Sequence, residues 1–392
     1  MHTIKMVDLQ AQQKLIRKQL DVAIAEVLGS CDYILGKKVL ELEQQLINFC
    51  GSRFAISCAN GTDALTLVLK AKNITSQDAV FIPAFTFTAT AEAVVLAGGN
   101  PIFVDVLPDS FNMDPRSLEE AVLLAKKYHL QPAAVIPVDL FGLPANYAQI
   151  ANIAAKHNLW ILCDAAQSFG AMHENKHVGT FGLATATSFF PSKPLACYGD
   201  GGCIFTDDPD LTEILKSIRV HGAKIVNGTL DKYNNVRVGV NSRLDSIQAA
   251  ILLEKLKIFP KELMLRNKVA VTYNELLKEV NSLSLPIIDP LTVSAWAQYT
   301  IKLHNTERMN NRTLQLALEK VGIPTAIYYS KPISSHPPYA DYHKTSLSVS
   351  EQLSDRVLSL PMHPYLSFNN LEYIANSLKN ILFTAIPEKV DL

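Results

Sequence analysis

The chain has 392 residues, too many for one small core, and its 48% hydrophobic and 19% charged content is that of a globular protein. A formal net charge of −1 gives no electrostatic case for nucleic acid or an anionic membrane as a partner, but leaves room for a local basic pocket for phosphate. No apolar run reaches the ~18 residues that span a bilayer and the N-terminus has no signal-peptide pattern, so a cytoplasmic protein is expected.

The first predicted element is an amphipathic helix over 10–29, expected to pack on the C-terminal part of the chain. From about residue 50 to 220, short apolar runs alternate with helical stretches. The strand candidates are Phe54–Ser57, Ala79–Pro83, Pro101–Val106, Ala133–Val138, Trp160–Asp164, Thr185–Phe190 and Gly202–Thr206. Their length and β-branched content favour buried strands. Helix candidates between them are Thr62–Ala71, Thr88–Ala97, Pro115–Tyr128 and Asn146–His157. This alternation predicts an α/β class with a mostly parallel, seven-stranded sheet covered on both faces. The six cysteines form no C-x-x-C pair and read as reduced thiols, with no zinc-ligand spacing.

Past Arg219 the pattern changes. A polar loop over His221–Asn241 precedes a long helix that begins near Leu244, runs to about Leu256 and breaks at Pro260. Beyond about 290 there are two strands, Ala297–Leu303 and Thr325–Tyr329, and helices near Asn310–Val321, Ser350–Ser359 and Asn370–Leu382. The division expected is a large α/β domain over 1–260 and a small α+β domain over 261–392.

Four segments carry chemistry, each at a strand end or in a loop, where ligands of an open parallel sheet gather. Asn60-Gly61-Thr62-Asp63 joins a strand to a helix; it reads either as an anion cradle of free amides and a hydroxyl or as a plain capped turn. Asp164 ends an apolar strand, where a carboxylate can pair with a cationic heterocycle nitrogen or simply cap a helix. Lys193 follows Ser188-Phe189-Phe190-Pro191-Ser192 and precedes Pro194. Desolvated, it is a nucleophile able to hold an aldehyde as a Schiff base; exposed, it is an ordinary loop lysine. Asn241-Ser242-Arg243 opens the long helix and suits phosphate or carboxylate binding, or a capped start with a surface salt bridge. Taken together these segments supply what pyridoxal phosphate (PLP) needs: an anion cradle, an aspartate for the ring nitrogen and a lysine for the aldehyde.

The order of these motifs resembles the DegT/DnrJ/StrS family of PLP-dependent sugar aminotransferases, over nearly the whole chain. Asn60 to Leu65, Pro83 to Phe87, Asp164 to Gln167, Ser188 to Lys193 and Gly239 to Arg243 all fit the family pattern. The resemblance implies the aspartate-aminotransferase type I fold, with Lys193 as the Schiff-base lysine and Asp164 on the ring nitrogen. It further implies Gln167 near the phenolic oxygen, Phe87 stacked on the ring, and Gly61, Thr62 and Ser188 on the phosphate. Asn241 would reach the cofactor of a neighbouring subunit in a homodimer with shared sites.

Within the family the chain is similar to members that aminate carbon 3 of a UDP-linked 2-acetamido-2-deoxy-3-oxo-glucuronate for surface polysaccharide synthesis, with L-glutamate as donor. The segments that carry this are Tyr33 to Gly36, Phe189 to Gly202, Trp296 to Thr300 and Ser359 to Pro364. Arg243, with Tyr328 and Tyr329 as hydroxyl partners, is then expected at the substrate carboxylate. A carbon 4 aminotransferase acting on a 4-keto-6-deoxy sugar shares every cofactor residue and stays open at this point, as does a non-catalytic regulatory protein of the same fold. Sugar dehydratases of related sequence lack the Schiff-base lysine, so Lys193 argues against that reading.

Overall fold

The computed structural model describes residues 4–226, 229–304, 306 and 309–384. Seven strands form the main sheet: β1 (Phe54–Cys58), β2 (Asp78–Pro83), β3 (Asn100–Val104), β4 (Gln131–Val135), β5 (Trp160–Asp164), β6 (Ala184–Ser188) and β7 (Gly202–Thr206). Their order across the sheet is β1-β7-β6-β5-β4-β2-β3. β2 to β6 pair in parallel, and β7 alone runs antiparallel to both of its neighbours. The carboxyl ends of β1, β2, β4, β5 and β6 therefore share one edge.

Burial along these strands is nearly continuous, as a sheet covered on both faces requires, while successive side chains pack on opposite faces. Along β2, Val80 and Ile82 pack with helices α3 (Gly61–Ala71) and α4 (Ala89–Ala97), while Ala79 and Phe81 pack with α5 (Pro115–Lys127). On the side of β1 and β7, Ala55, Cys203 and Phe205 meet α2 (Lys37–Cys50) and α8 (Ser246–Leu277). A second, antiparallel sheet of Leu283–Ser284, Tyr299–Leu303 and Val357–Leu360 shares a core with the C-terminal half of α8, with α9 (Asn311–Lys320) and with α11 (Phe368–Thr384). The N-terminal helix α1 (Leu9–Ser30) packs on α8 through Ile16 and Leu20 against Ile251, and just before it Ile4 joins the core of the second sheet.

Four expectations are corrected. Helix α8 does not break at Pro260 but continues for 32 residues. Pro260 is exposed, where its ring meets no packed neighbour, and packing against α1, α2 and α11 holds the helix on both sides of it. The stretch 221–241 is not a plain loop, because Ala223–Val226 and Thr229–Asn235 pair as an antiparallel hairpin. Thr325–Tyr329 is not a strand. Only Ala326 pairs, with Ser359, before the chain turns into the cleft described below. The helix expected over Ser350–Ser359 ends at Ser354, and Val357–Leu360 forms a strand because its backbone is taken up by Tyr299–Lys302.

Candidate active site

A cleft of about 860 Å³ lies at the carboxyl edge of the main sheet. Nine of the residues expected at a site line it: Gly61, Thr62, Phe87, Asp164, Gln167, Ser188, Lys193, Tyr328 and Tyr329.

The end of β1 delivers the first of these. Asn60 caps α3, its Oδ1 accepting the Asp63 N–H at 2.8 Å. The first amides of the helix have no partner within it and face the cleft with the positive end of the helix dipole. Gly61 is needed for close approach: a Cβ there would lie 2.7 Å from the Cβ of Ser188. Removing it brings the Ser188 hydroxyl, from the end of β6, against the helix start. The strand behind is fixed by a buried ion pair, in which Arg219 Nη1 donates to Glu43 Oε1 at 2.7 Å and to the Ser57 carbonyl at 2.8 Å.

Asp164 ends β5, nearly buried at 5% exposure. Its Oδ2 accepts from the Thr90 hydroxyl at 2.9 Å and its Oδ1 from the Ala166 N–H at 3.2 Å. Burial raises its pKa, and against this act the Thr90 and Ala166 hydrogen bonds and the charge of Lys193. Lys193 stands half-buried on the loop after β6, its N–H donating to the Phe190 carbonyl at 2.9 Å. Burial lowers the pKa of its ammonium, and the charge of Asp164 opposes that shift. The loop is held from behind by Lys255, whose buried Nζ donates to the Ala196 carbonyl at 2.7 Å.

Gln167 is oriented by its neighbours. Its Oε1 accepts the Phe141 N–H at 2.7 Å, which leaves its amide group as the donor, and Nε2 donates to the Tyr329 hydroxyl at 3.3 Å. Phe141 sits in the left-handed region at φ 60° to make that contact, a sparsely populated conformation for a bulky residue. Phe87 keeps 55% of its surface exposed beside Tyr329, with 6.5 Å between ring centroids, so an aromatic face is free at the cleft.

Asn241 and Arg243 are not brought to this cleft within one chain. Asn241 is exposed and pairs through its backbone with Val220, and Arg243 is half-buried. Conversely, sequence reasoning passed over Thr90, Asp200 and Gln298 as cleft residues. Thr90 is the second residue of α4, and no local signal marks it as the partner of a residue 74 positions away.

These groups fit PLP: a helix start and hydroxyls for a phosphate, a space that a Cβ at Gly61 would fill, a buried carboxylate for a ring cation, an amide donor for a phenolate, an exposed aromatic face, and a lysine of lowered pKa. Among the described residues no cluster of metal ligands is present, no helix is long and apolar enough to cross a membrane, and none of the cysteines is paired.

The comparisons with known proteins agree with this geometry. The model of the DegT/DnrJ/EryC1/StrS aminotransferase family matches residues 14–379. UDP-2-acetamido-2-deoxy-3-oxo-D-glucuronate aminotransferase of Pseudomonas aeruginosa is 44% identical over 377 residues, covering 96% of this chain and 100% of the relative. The crystal structure of a DegT DnrJ EryC1 StrS aminotransferase from Brucella abortus superposes with a TM-score of 0.92 at 45% identity, over 96% of this chain and 99% of that one. DesV of S. venezuelae, solved in complex with a ketimine intermediate, gives a TM-score of 0.89 at 32% identity, over 99% of this chain and 100% of that one. The chain belongs to the DegT/DnrJ/EryC1/StrS aminotransferase family and is a PLP-dependent aminotransferase.

Proposed function

We propose that this enzyme moves an amino group from L-glutamate to carbon 3 of a UDP-linked 3-oxo sugar of the 2-acetamido-2-deoxy-glucuronate type. The observation that carries the reading is the 44% identity, over the full length of the relative, with an aminotransferase of that substrate. Bound PLP supplies an electron sink that lets a proton leave the carbon bearing nitrogen. Asp164 keeps the ring nitrogen protonated through its charge, and Gln167 donates its amide N–H to the phenolic oxygen. Phe87 covers the ring face, while Gly61, Thr62 and Ser188 bind the phosphate. Lys193 holds the cofactor and, once freed, moves the proton at Nζ; burial lowers its pKa and so eases loss of the ammonium proton.

Charge supports a homodimer with shared sites. Among the described residues that line the cleft, Lys193 is the only cation, against Asp63, Asp164 and Asp200. A phosphate, a diphosphate and the carboxylates of glutamate and sugar demand more positive charge than that. In our reading a second copy supplies it, with Asn241 at the cofactor phosphate and Arg243 at a substrate carboxylate, joined by Tyr328 and Tyr329 from the chain that owns the cleft. We also propose that residues 1–260 and 261–392 act as large and small domains, with the cleft between the sheet edge and the Tyr328–Tyr329 segment.

A coupled assay over UDP- and dTDP-linked keto sugars, with NMR of the product, tests the substrate. The expected result is turnover of the UDP-linked 3-oxo-glucuronate with nitrogen on carbon 3. Preference for a 4-keto-6-deoxy sugar overturns it.

A further inference from the structure

Asp139 is a carboxylate with none of its surface exposed, and the reading above assigns it no task. It accepts hydrogen bonds from the Ala145 N–H at 2.8 Å, the Tyr147 hydroxyl at 2.6 Å and the Ser168 hydroxyl at 2.6 Å, a donor set that suits the ionised form. No cation among the described residues bonds to it. Burying a carboxylate without a counter-charge is costly, and groups of this kind gather where charge is used.

Its surroundings indicate the use. The Asp139 N–H donates to the Asp164 carbonyl at 3.0 Å, and the Asp164 N–H donates to the Pro137 carbonyl at 2.9 Å. Ser168, which Asp139 holds, closes the turn that starts at Asp164 and carries Gln167. Two residues beyond Asp139, the Phe141 N–H fixes Gln167. One loop thus holds both side chains that face the ring.

We propose that Asp139 is a positioning residue for the transamination: its carboxylate locks the Asp164–Ser168 turn and adds negative potential at the Asp164 end of the cleft. This rests on the reading of Asp164 as the partner of the ring nitrogen. The titratable groups that face Asp139 are Tyr147 from α6 (Tyr147–His157) and Cys163 and Asp164 from β5. Burial raises Tyr147 and Cys163, so both stay neutral. Burial also pushes Asp139 up to about 7; its three donors act against the rise and the charge of Asp164 adds to it. Asp139 then changes charge in the neutral range, and the reaction changes with it.

The test compares holoenzymes of wild type, Asp139→Asn, Asp164→Asn, Ser168→Ala and Tyr147→Phe. Two quantities are followed against pH: the absorption of bound PLP, and kcat and KM for glutamate. In Asp139→Asn we expect PLP to stay bound, kcat to fall about tenfold with little change in KM, and the absorption midpoint to move down by about half a unit. The inflection of kcat near pH 7 is lost in that variant. Tyr147→Phe removes a donor, so it moves that inflection to higher pH. Ser168→Ala removes the other hydroxyl donor, so it too moves that inflection to higher pH, and it lowers kcat by loosening the turn. The inference is overturned if Asp139→Asn matches wild type in kcat and midpoint while Asp164→Asn loses both. If Asp164→Asn itself matches wild type, the ring-nitrogen reading falls and this one with it. Should Asp139→Asn fail to fold, unchanged kcat profiles in both Tyr147→Phe and Ser168→Ala overturn the proposal.

Discussion

The floor of the cleft and the segment 221–243 are built in opposite ways. On the floor, Asp164 and Gln167 are each 5% exposed and every polar end has a partner from the same chain: Thr90, the Ala166 and Phe141 amides, the Tyr329 hydroxyl. In the other region each residue of Thr229–Asn235 is exposed, with Tyr233 at 89% and Val238 at 90%. Isolated exposed apolar side chains are ordinary, but a hairpin that exposes Leu230 and Tyr233 beside an exposed Asn241 suits the surface that the proposed second copy would cover. The contrast teaches where to look for each property. In the reading proposed above, the chemistry belongs to the preorganised floor, and substrate charge recognition belongs to the region offered to a second copy.

Four substitutions sharpen or break that division, from the largest expected effect down. Lys193→Ala abolishes turnover while circular dichroism shows the fold retained; borohydride reduction of the wild type followed by peptide mass spectrometry places the pyridoxyl group on Lys193, and an adduct on another lysine refutes the assignment. Asp164→Asn keeps shape and loses charge, and steady-state kinetics then show a rate lower by about 100-fold. A near wild-type rate contradicts its role.

Arg243→Met belongs to the other region and has a different signature. It raises KM for a 3-oxo-glucuronate nucleotide by about tenfold, the loss of one charge-assisted pair, and spares an uncharged keto-sugar analogue. Glutamate half-reactions measured without sugar separate this from a contact to the donor, because only a donor contact slows them. Equal effects on charged and uncharged sugars contradict the division.

The stability effect of Asp139→Asn is the smallest, and its sign is opposite. The pKa of Asp139 is raised in the folded chain, to about 7, so the folded state holds its proton more tightly than the unfolded one. Stability contributed by that proton is present at low pH and is lost as pH rises from the ordinary carboxylate range through about 7. The variant lacks this loss. Calorimetry should therefore find its Tm above wild type by about 2 °C at alkaline pH, with the gap closing in acid. A Tm below wild type at alkaline pH contradicts the unpaired burial of the charge.

The floor was also the more legible region in the sequence. The length and β-branched content of the apolar runs located β1 to β7 to within two or three residues at each end, and the residues that end β1, β5 and β6 stand at the cleft because a parallel sheet gathers its carboxyl ends. Local pattern failed where partners distant in sequence decide the outcome. Pro260 signals a break, yet packing on both sides overrides it. Val357–Leu360 follows directly on a helical stretch and becomes a strand through Tyr299–Lys302. Thr90 and Asp139 are ordinary residues in sequence and matter through contacts made across the fold. Asn241 and Arg243 were legible as residue types, but they lie outside the cleft of their own chain, and the roles proposed for them need a second copy.

The division between floor and rim is tested most directly by mixing two inactive enzymes. Lys193→Ala lacks the floor, and Asn241→Ala lacks the group offered to a neighbour. In a mixed dimer one cleft has an intact Lys193 in its own chain and an intact Asn241 from the other. With subunit exchange confirmed by native mass spectrometry and each parent shown inactive, the account predicts that activity returns on mixing, toward one working site per mixed dimer. Confirmed mixed dimers that stay inactive would contradict it.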